Sequence, residues 1–183
     1  MIEINTDLIR RAQTGDTATL GELYERYQLS IFRYLYYRVG DRQTAEDLTS
    51  EVFERMLRFL AGFNPPSSSF QAWLFRIARN LSTDHYRKMS VRNDVQLEEN
   101  LISVNDDPHT TIERVLTIEG LRQALAKLNE EQRDVILLRF VSGMPISEVA
   151  HTLNKSEDAI KGLQRRALSA LREILVDWEV SYA

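Results

Sequence analysis

The chain has 183 residues, of which 43% are hydrophobic and 27% charged, with a formal net charge of −4. That is apolar material for one domain or two small ones, and its balance excludes both a globally disordered chain and a protein that holds nucleic acid by overall charge. Cysteine is absent, which excludes a disulfide framework, a thiol nucleophile, cysteine-ligated zinc and iron–sulfur clusters.

Glycine and proline are scarce, and their positions punctuate the chain. Thr6 is a candidate N-cap for a first helix over residues 7–14, which Gly15 stops. Asp16 is placed to cap a second, ending at Gly40, with an apolar stripe of Leu20, Leu23, Tyr24, Tyr27, Ile31, Leu35 and Val39. Asp41 is placed to cap a third, ending near Gly62, with Ala45, Leu48, Val52, Met56 and Leu60 on its stripe. The run Asn64-Pro65-Pro66-Ser67-Ser68-Ser69 reads as a loop. The spacing of Phe70, Trp73, Leu74, Ile77, Ala78 and Leu81 predicts a fourth helix over residues 70–89, and these four suffice for a compact helical domain.

The composition then changes. Residues 94–113 hold six acids and no lysine or arginine, together with Pro108 and no sustained periodicity. This stretch reads as an acidic linker. Helical spacing returns near residue 112. Leu121, Leu125 and Leu128 share a face, and Asn129 is a candidate cap for a helix over residues 130–142 that Gly143 ends. Pro145-Ile146-Ser147 starts a short helix to Leu153. Asn154-Lys155-Ser156 is a three-residue turn, and a final helix is predicted from Glu157 to about Val176. No strand alternation of useful length and no internal repeat occurs. The fold class is therefore all-α, as two small helical domains over residues 1–92 and 113–183 joined by the acidic segment 93–112.

Local charge says more than the total. Arg76, Arg79, Arg87, Lys88 and Arg92 stand against Asp84 alone in residues 71–93, and Lys155, Lys161, Arg165, Arg166 and Arg172 stand against Glu157 and Asp158 in residues 155–172. Two separated basic helices suit a polyanion, although ordinary solvated helix faces have the same composition. The second basic segment has the spacing of a helix-turn-helix, with Ile146, Val149, Ala150, Leu153, Ile160, Leu163 and Ala167 as internal packing. Such a motif sets Ser156, Glu157, Asp158 and Lys161 toward the major groove, with Arg165 and Arg166 near backbone or base edges. The alternative is an αα-hairpin that merely packs. In residues 70–88, aromatic and basic side chains alternate in a way that suits unpaired nucleic acid. Phe70 and Trp73 fall on the apolar stripe and read as core; Phe75 and Tyr86 are free by phase. There is no glycine-rich phosphate loop, no His-Glu-x-x-His and no Gly-x-Ser-x-Gly, and His85, His109 and His151 are isolated in sequence. The expectation is a non-enzyme with no catalytic residues, no cofactor and no metal site.

These segments, in this order, resemble bacterial RNA polymerase sigma factors of the extracytoplasmic-function class. Ala45-Glu46-Asp47-Leu48-Thr49-Ser50-Glu51-Val52-Phe53 resembles the helix that binds the clamp of core RNA polymerase. Residues 70–81, running on to Asp84-His85-Tyr86-Arg87-Lys88, resemble the segment that melts and reads the −10 element. Residues 128–139 resemble the helix before the family's helix-turn-helix, and the motif itself is used on the −35 element. The resemblance implies core-polymerase contacts at Asp47, Glu51 and Arg55. It implies −10 contacts at Arg76, Arg79, Asn80, Asp84, Arg87 and Lys88, and −35 contacts at Ser156, Glu157, Lys161, Arg165 and Arg166. It places the 62–69 loop where the family captures a flipped base, and threads the acidic linker toward the polymerase channel. Ser50 stands where the family usually has glutamine. Asp158-Ala159 and Gly162-Leu163 replace a usual glycine-threonine and serine-arginine. The implied partners are core RNA polymerase and promoter DNA, and members of the class are often held by an anti-sigma protein, which nothing in this sequence identifies. No basic leader precedes residue 7, and no stretch of the roughly 18 apolar residues needed to span a bilayer occurs, so the expectation is a cytoplasmic protein without membrane insertion. No appended regulatory domain is expected after the last helix. Two other classes fit parts of the sequence: a dimeric helix-turn-helix regulator of duplex DNA, and a helical interaction module or enzyme with incidental motifs.

Overall fold

Asp16, Asp41 and Asn129 each start a helix, and glycine or a left-handed asparagine stops most of them. The computed structural model describes residues 6–64, 69–92 and 120–182, within which every regular element is helical. In chain order these are α1 (Thr6–Gln13), α2 (Thr17–Val39), α3 (Arg42–Phe59) closed by a 3-10 turn (Leu60–Gly62), α4 (Phe70–Arg92), α5 (120–127), α6 (Glu130–Ile136) continuing into a π-helical turn (Leu137–Val141), α7 (Ile146–Leu153) and α8 (Glu157–Tyr182). The predicted acidic linker, the start of the helical signal near residue 112, and residues 65–68 of the predicted loop lie outside the described residues.

The caps predicted at Asp16, Asp41 and Asn129 are formed, while Thr6, the fourth candidate, is the first residue of α1 itself. The Asp16 carboxylate accepts from the Ala18 N–H at 3.1 Å and from the Thr19 hydroxyl at 2.7 Å. The Thr19 bond, followed by the one from Arg11, pulls the Asp16 carboxyl down to about 2. Asp41 accepts from the Thr44 N–H at 2.7 Å. Asn129 forms a reciprocal box with Gln132, accepting from the Gln132 N–H at 2.9 Å while the Gln132 side chain accepts from the Asn129 N–H. Gly40 ends α2 at φ 80°, donating its N–H to the Tyr36 carbonyl at 2.8 Å. The positive φ calls for glycine here; among the described residues the only near neighbour of a Cβ would be the mobile end of the Arg122 side chain in α5, which can shift.

Leu23, Tyr27, Ile31 and Leu35 of α2 pack with Ala45, Leu48, Val52 and Met56 of α3 and with Phe70, Leu74, Ala78 and Leu81 of α4, while Ile9 and Ala12 of α1 close one end. Val135, Ile136, Leu137, Leu138, Val149, Ile160, Leu163 and Ala167 of α6 to α8 continue the same buried cluster. Three details depart from the predicted pattern. Tyr24, placed on the α2 stripe, is 45% exposed and lies edge-on to Phe53 at a ring separation of 4.7 Å. The final helix extends to Tyr182.

The third departure is the helix predicted over residues 130–142, whose last part is π-helical. The Ser142 N–H donates to the Leu137 carbonyl at 2.9 Å. The same stretch is enclosed: Asp134, Val135, Ile136, Leu137 and Leu138 are five consecutive buried residues, where a surface helix buries one stripe. In the widened turn, Arg139 reaches both the Met144 carbonyl and the Gln164 side chain.

Replacing Asp41 with alanine removes the α3 cap and is expected to lower unfolding stability by about 1 kcal/mol in urea titrations at neutral pH. The Thr44 hydrogen bond holds the Asp41 carboxyl below its ordinary value in the folded chain. Its contribution is therefore present above the ordinary carboxyl range and lost as pH falls below it, so wild type and Asp41→Ala should converge in acid.

Candidate functional site

Three exposed surfaces and one buried cluster hold the residues singled out by sequence. On α3, Asp47, Ser50, Glu51, Glu54, Arg55, Arg58 and Phe59 line one groove. The helix period places Asp47, Glu51 and Arg55 in line, and Arg55 donates to the Glu51 carboxylate at 2.6 and 3.1 Å. Ser50, at the position that departs from the usual family residue, faces this groove and donates its hydroxyl to the Glu46 carbonyl. The predicted polymerase-contact residues are thus brought together on one face.

On α8, Ser156, Glu157, Lys161, Arg165 and Arg166 are all exposed, on the side away from the buried Ile160, Leu163 and Ala167. Asn154 turns the chain at φ 54°, a conformation asparagine tolerates better than most residues. The Ser156 hydroxyl then accepts from the Ala159 N–H at 3.2 Å, so this predicted DNA contact also caps the helix. Lys155 anchors the turn on Glu131 at 2.8 Å. Lys161 pairs with Asp158 at 3.0 Å, and that bond and charge raise its pKa.

The predicted −10 residues divide along α4. Asn80, Asp84, Arg87 and Lys88 are exposed. Arg76 and Arg79 instead face the other half of the chain. Arg76 donates to the His151 carbonyl of α7 at 2.6 Å, and Arg79 donates through Nε to Asp134 of α6 at 2.7 Å. Phe75, free by phase in the sequence, is fully buried and stands edge-on to Tyr34 at 5.6 Å. The physical reason is that α4 buries two stripes. One is the predicted stripe; the other holds Ala72, Phe75 and Ser82, with Phe75 against Tyr34 of α2 and the Ala72 carbonyl 3.5 Å from the Thr152 hydroxyl of α7. Trp73 is half-buried against Phe63 and Phe70. Tyr86 is 40% exposed, with its hydroxyl donating to the Arg38 carbonyl.

Sequence reasoning missed the centre of this arrangement, Arg38 and Asp134. Asp134 has no exposed side chain and Arg38 almost none. The Asp134 carboxylate accepts from Arg38, from the Tyr34 hydroxyl at 3.0 Å and from Arg79. Arg38 also donates to Glu130 at 2.6 Å and to Thr83 at 3.0 Å. Burial, and then the Asp134 charge, raise the Tyr34 hydroxyl well above its ordinary value, so it acts only as a neutral donor. Burial opposes ionisation of Glu130 most strongly, yet the bond and charge of Arg38 and the Thr83 bond outweigh it, and its carboxyl lies below the ordinary value. The one available signal was a charged residue on an otherwise apolar face of α2 and another at the head of an apolar run in α6. Among the described residues no group of three histidine, aspartate or glutamate side chains is placed to hold a metal ion, and no helix is long and apolar enough to cross a membrane.

A chain of two helical units, with an acid-rich groove helix, a basic aromatic helix and a helix-turn-helix, has the architecture of a sigma factor. The model of sigma-70 region 2 matches residues 23–91 and that of sigma-70 region 4 matches residues 124–173. The chain is 40% identical over 173 residues to the sigma factor BldN of Streptomyces coelicolor, covering 93% of this chain and 66% of BldN. It is 34% identical over 157 residues to SigX of Bacillus subtilis, covering 82% of this chain and 80% of SigX. A solved structure of CnrH in complex with the cytosolic domain of CnrY superposes with a TM-score of 0.74 at 25% identity, covering 93% of this chain and 96% of that one. The chain therefore belongs to the extracytoplasmic-function family of RNA polymerase sigma factors.

Phe75→Ala is expected to cost about 3–5 kcal/mol of unfolding free energy, because it empties a fully enclosed site. A base-stacking side chain would leave stability unchanged; denaturant unfolding of the variant separates the two.

Proposed function

We propose that this sigma factor acts in transcription initiation by binding core RNA polymerase through the α3 groove, reading a −35 element with α8 and reading and opening a −10 element with α4. The observation that carries this reading is the coexistence, in one chain of the family, of three charged surfaces of distinct chemistry. The acid-rich groove at Asp47 and Glu51 suits a protein partner. The exposed Lys161, Arg165 and Arg166 at the start of a recognition helix suit duplex phosphates and base edges. Asn80, Arg87 and Lys88 beside Tyr86 suit an unstacked strand. Duplex opening would come from preferential binding of unstacked bases, without catalytic turnover, cofactor or metal. The place of action is the cytoplasm, where the polymerase and the promoter are. An anti-sigma protein belongs to the same proposal as a further partner class.

Co-elution of the purified chain with core RNA polymerase, without DNA, tests the reading directly. Binding is expected. A folded chain that does not co-elute would favour a stand-alone regulator of duplex DNA. The double variant Asp47→Ala with Glu51→Ala is expected to weaken that binding about tenfold, with helicity by circular dichroism unchanged. Unchanged affinity would move the interface off α3. On a polymerase–promoter complex, Lys161→Ala and Arg165→Ala are each expected to reduce promoter affinity about fivefold to thirtyfold and to flatten its salt dependence, while polymerase binding stays intact.

A further inference from the structure

We propose that Asp158 is a specificity-determining residue of α8, and that its ion pair with Lys161 reads one C·G base pair of the −35 element as a unit. The inference rests on the reading of α8 as the duplex-reading helix. Asp158 lies in the first turn of α8, the part of a recognition helix that reaches base edges. It leaves the capping to Ser156, whose hydroxyl takes the Ala159 N–H. The Asp158 side chain is 92% exposed, and the one hydrogen bond of its carboxylate among the described residues is with Lys161, at 3.0 Å. An exposed pair of this kind, three residues apart, adds little to stability. An acid in this turn also repels phosphate, so general attraction to DNA does not account for it.

The pair matches the edge of one base pair. A carboxylate only accepts, and an ammonium only donates. In the major groove a C·G pair offers the cytosine N4 amine as donor and, beside it, guanine O6 and N7 as acceptors. N4 and O6 are themselves joined by a hydrogen bond of about 2.9 Å, close to the span of the Asp158–Lys161 pair. The second carboxylate oxygen can therefore take the amine while Lys161 Nζ donates to O6 or N7, and the ion pair stays intact. An A·T pair fits less well. A carboxylate over the adenine amine also meets the N7 lone pair, and an ammonium over thymine O4 meets the methyl group. A G·C pair reverses donor and acceptor. The helix leaves room for close approach. Asp158, Lys161, Gly162 and Arg165 share one face by helix period. Among the described residues, a Cβ on Gly162 would meet one atom, an Arg166 guanidinium nitrogen at 3.5 Å, so the chain's own packing does not call for glycine there. With no side chain at 162 and a single exposed methyl at Ala159, the short aspartate can come down to the base edges.

The test uses holoenzyme assembled from the full chain and core polymerase, on promoter duplexes randomised over the −35 element, with the bound fraction sequenced. Wild type is expected to enrich cytosine at one position about tenfold over the other bases. Asp158→Asn keeps the shape but carries an amide that pairs bidentately with adenine, so adenine should replace cytosine at that position. Asp158→Ala should lose the preference there while the rest of the element stays selected. A role confined to helix dipole or net charge would change affinity uniformly and leave every preference in place. Cytosine selection that survives in Asp158→Asn or Asp158→Ala overturns the inference, as does a wild type that selects no cytosine. A selection that Lys161→Ala and Arg165→Ala abolish but both Asp158 variants leave untouched keeps α8 as the reader and rejects this inference alone. A wild-type holoenzyme without any preference over the −35 element rejects the reading of α8 as well.

Discussion

One buried carboxylate sets how the two halves meet. Asp134 has no contact with solvent, and a lone ionised carboxylate in such a place would be too costly to keep. It is kept because α2 contributes Arg38 and the Tyr34 hydroxyl, and α4 contributes Arg79, all within reach of its two oxygens. These donors converge in one docking position of α6 on α2 and α4. Apolar packing between helices tolerates small slides; a charge that needs three named partners does not. The cluster therefore supplies the register of the interface, whatever it adds to its free energy.

That register gives α4 two kinds of work. Phe70, Leu74, Ala78 and Leu81 tie it into the core of its own half. Ala72 receives the other half, its carbonyl 3.5 Å from the Thr152 hydroxyl of α7. What remains for solvent is Asn80 and Asp84 on one side and the whole turn of Tyr86, Arg87, Lys88 and Met89. Arg76 and Arg79 lie on the boundary between this exposed part and the interface, so their charge serves either the partner half or a polyanion. The surfaces on α3 and α8 are free of this competition, since neither faces the interface. The molecule thus presents the α3 and α8 surfaces to solvent, while two arginines of the third are engaged by the other half.

Much of the fold is legible in the sequence because it rests on local chemistry. An aspartate or asparagine before an amphipathic run accepts the first free N–H groups of a helix wherever that helix packs, and Asp16, Asp41 and Asn129 do so. The positive φ of Gly40, Gly143 and Asn154 likewise belongs to the residue types. The groove on α3 and the exposed face of α8 follow from helix period alone, because residues three and four apart share a face. Asp47 and Glu51 therefore line one groove, and Lys161 and Arg165 are exposed one helical turn apart.

The positions that could not be read this way are those whose neighbours are distant in sequence. Phase along α4 sets Phe75 off the predicted stripe, yet it is fully buried with its ring against Tyr34 of α2, a residue 41 positions away that helix period does not bring to it. Periodicity in α6 predicts one buried stripe; packing against distant elements instead buries five consecutive residues, Asp134 to Leu138. Arg38 and Asp134 are separated by 96 residues, and each alone looks like a misplaced surface charge. Sequence by itself determined the helices, their caps and the chemistry of each exposed face, since these depend on residues within a turn of one another. Tertiary structure decided which charges are buried, which arginines are occupied and where α4 ends as a surface, since a buried charge is stabilised only by partners that folding brings from elsewhere in the chain.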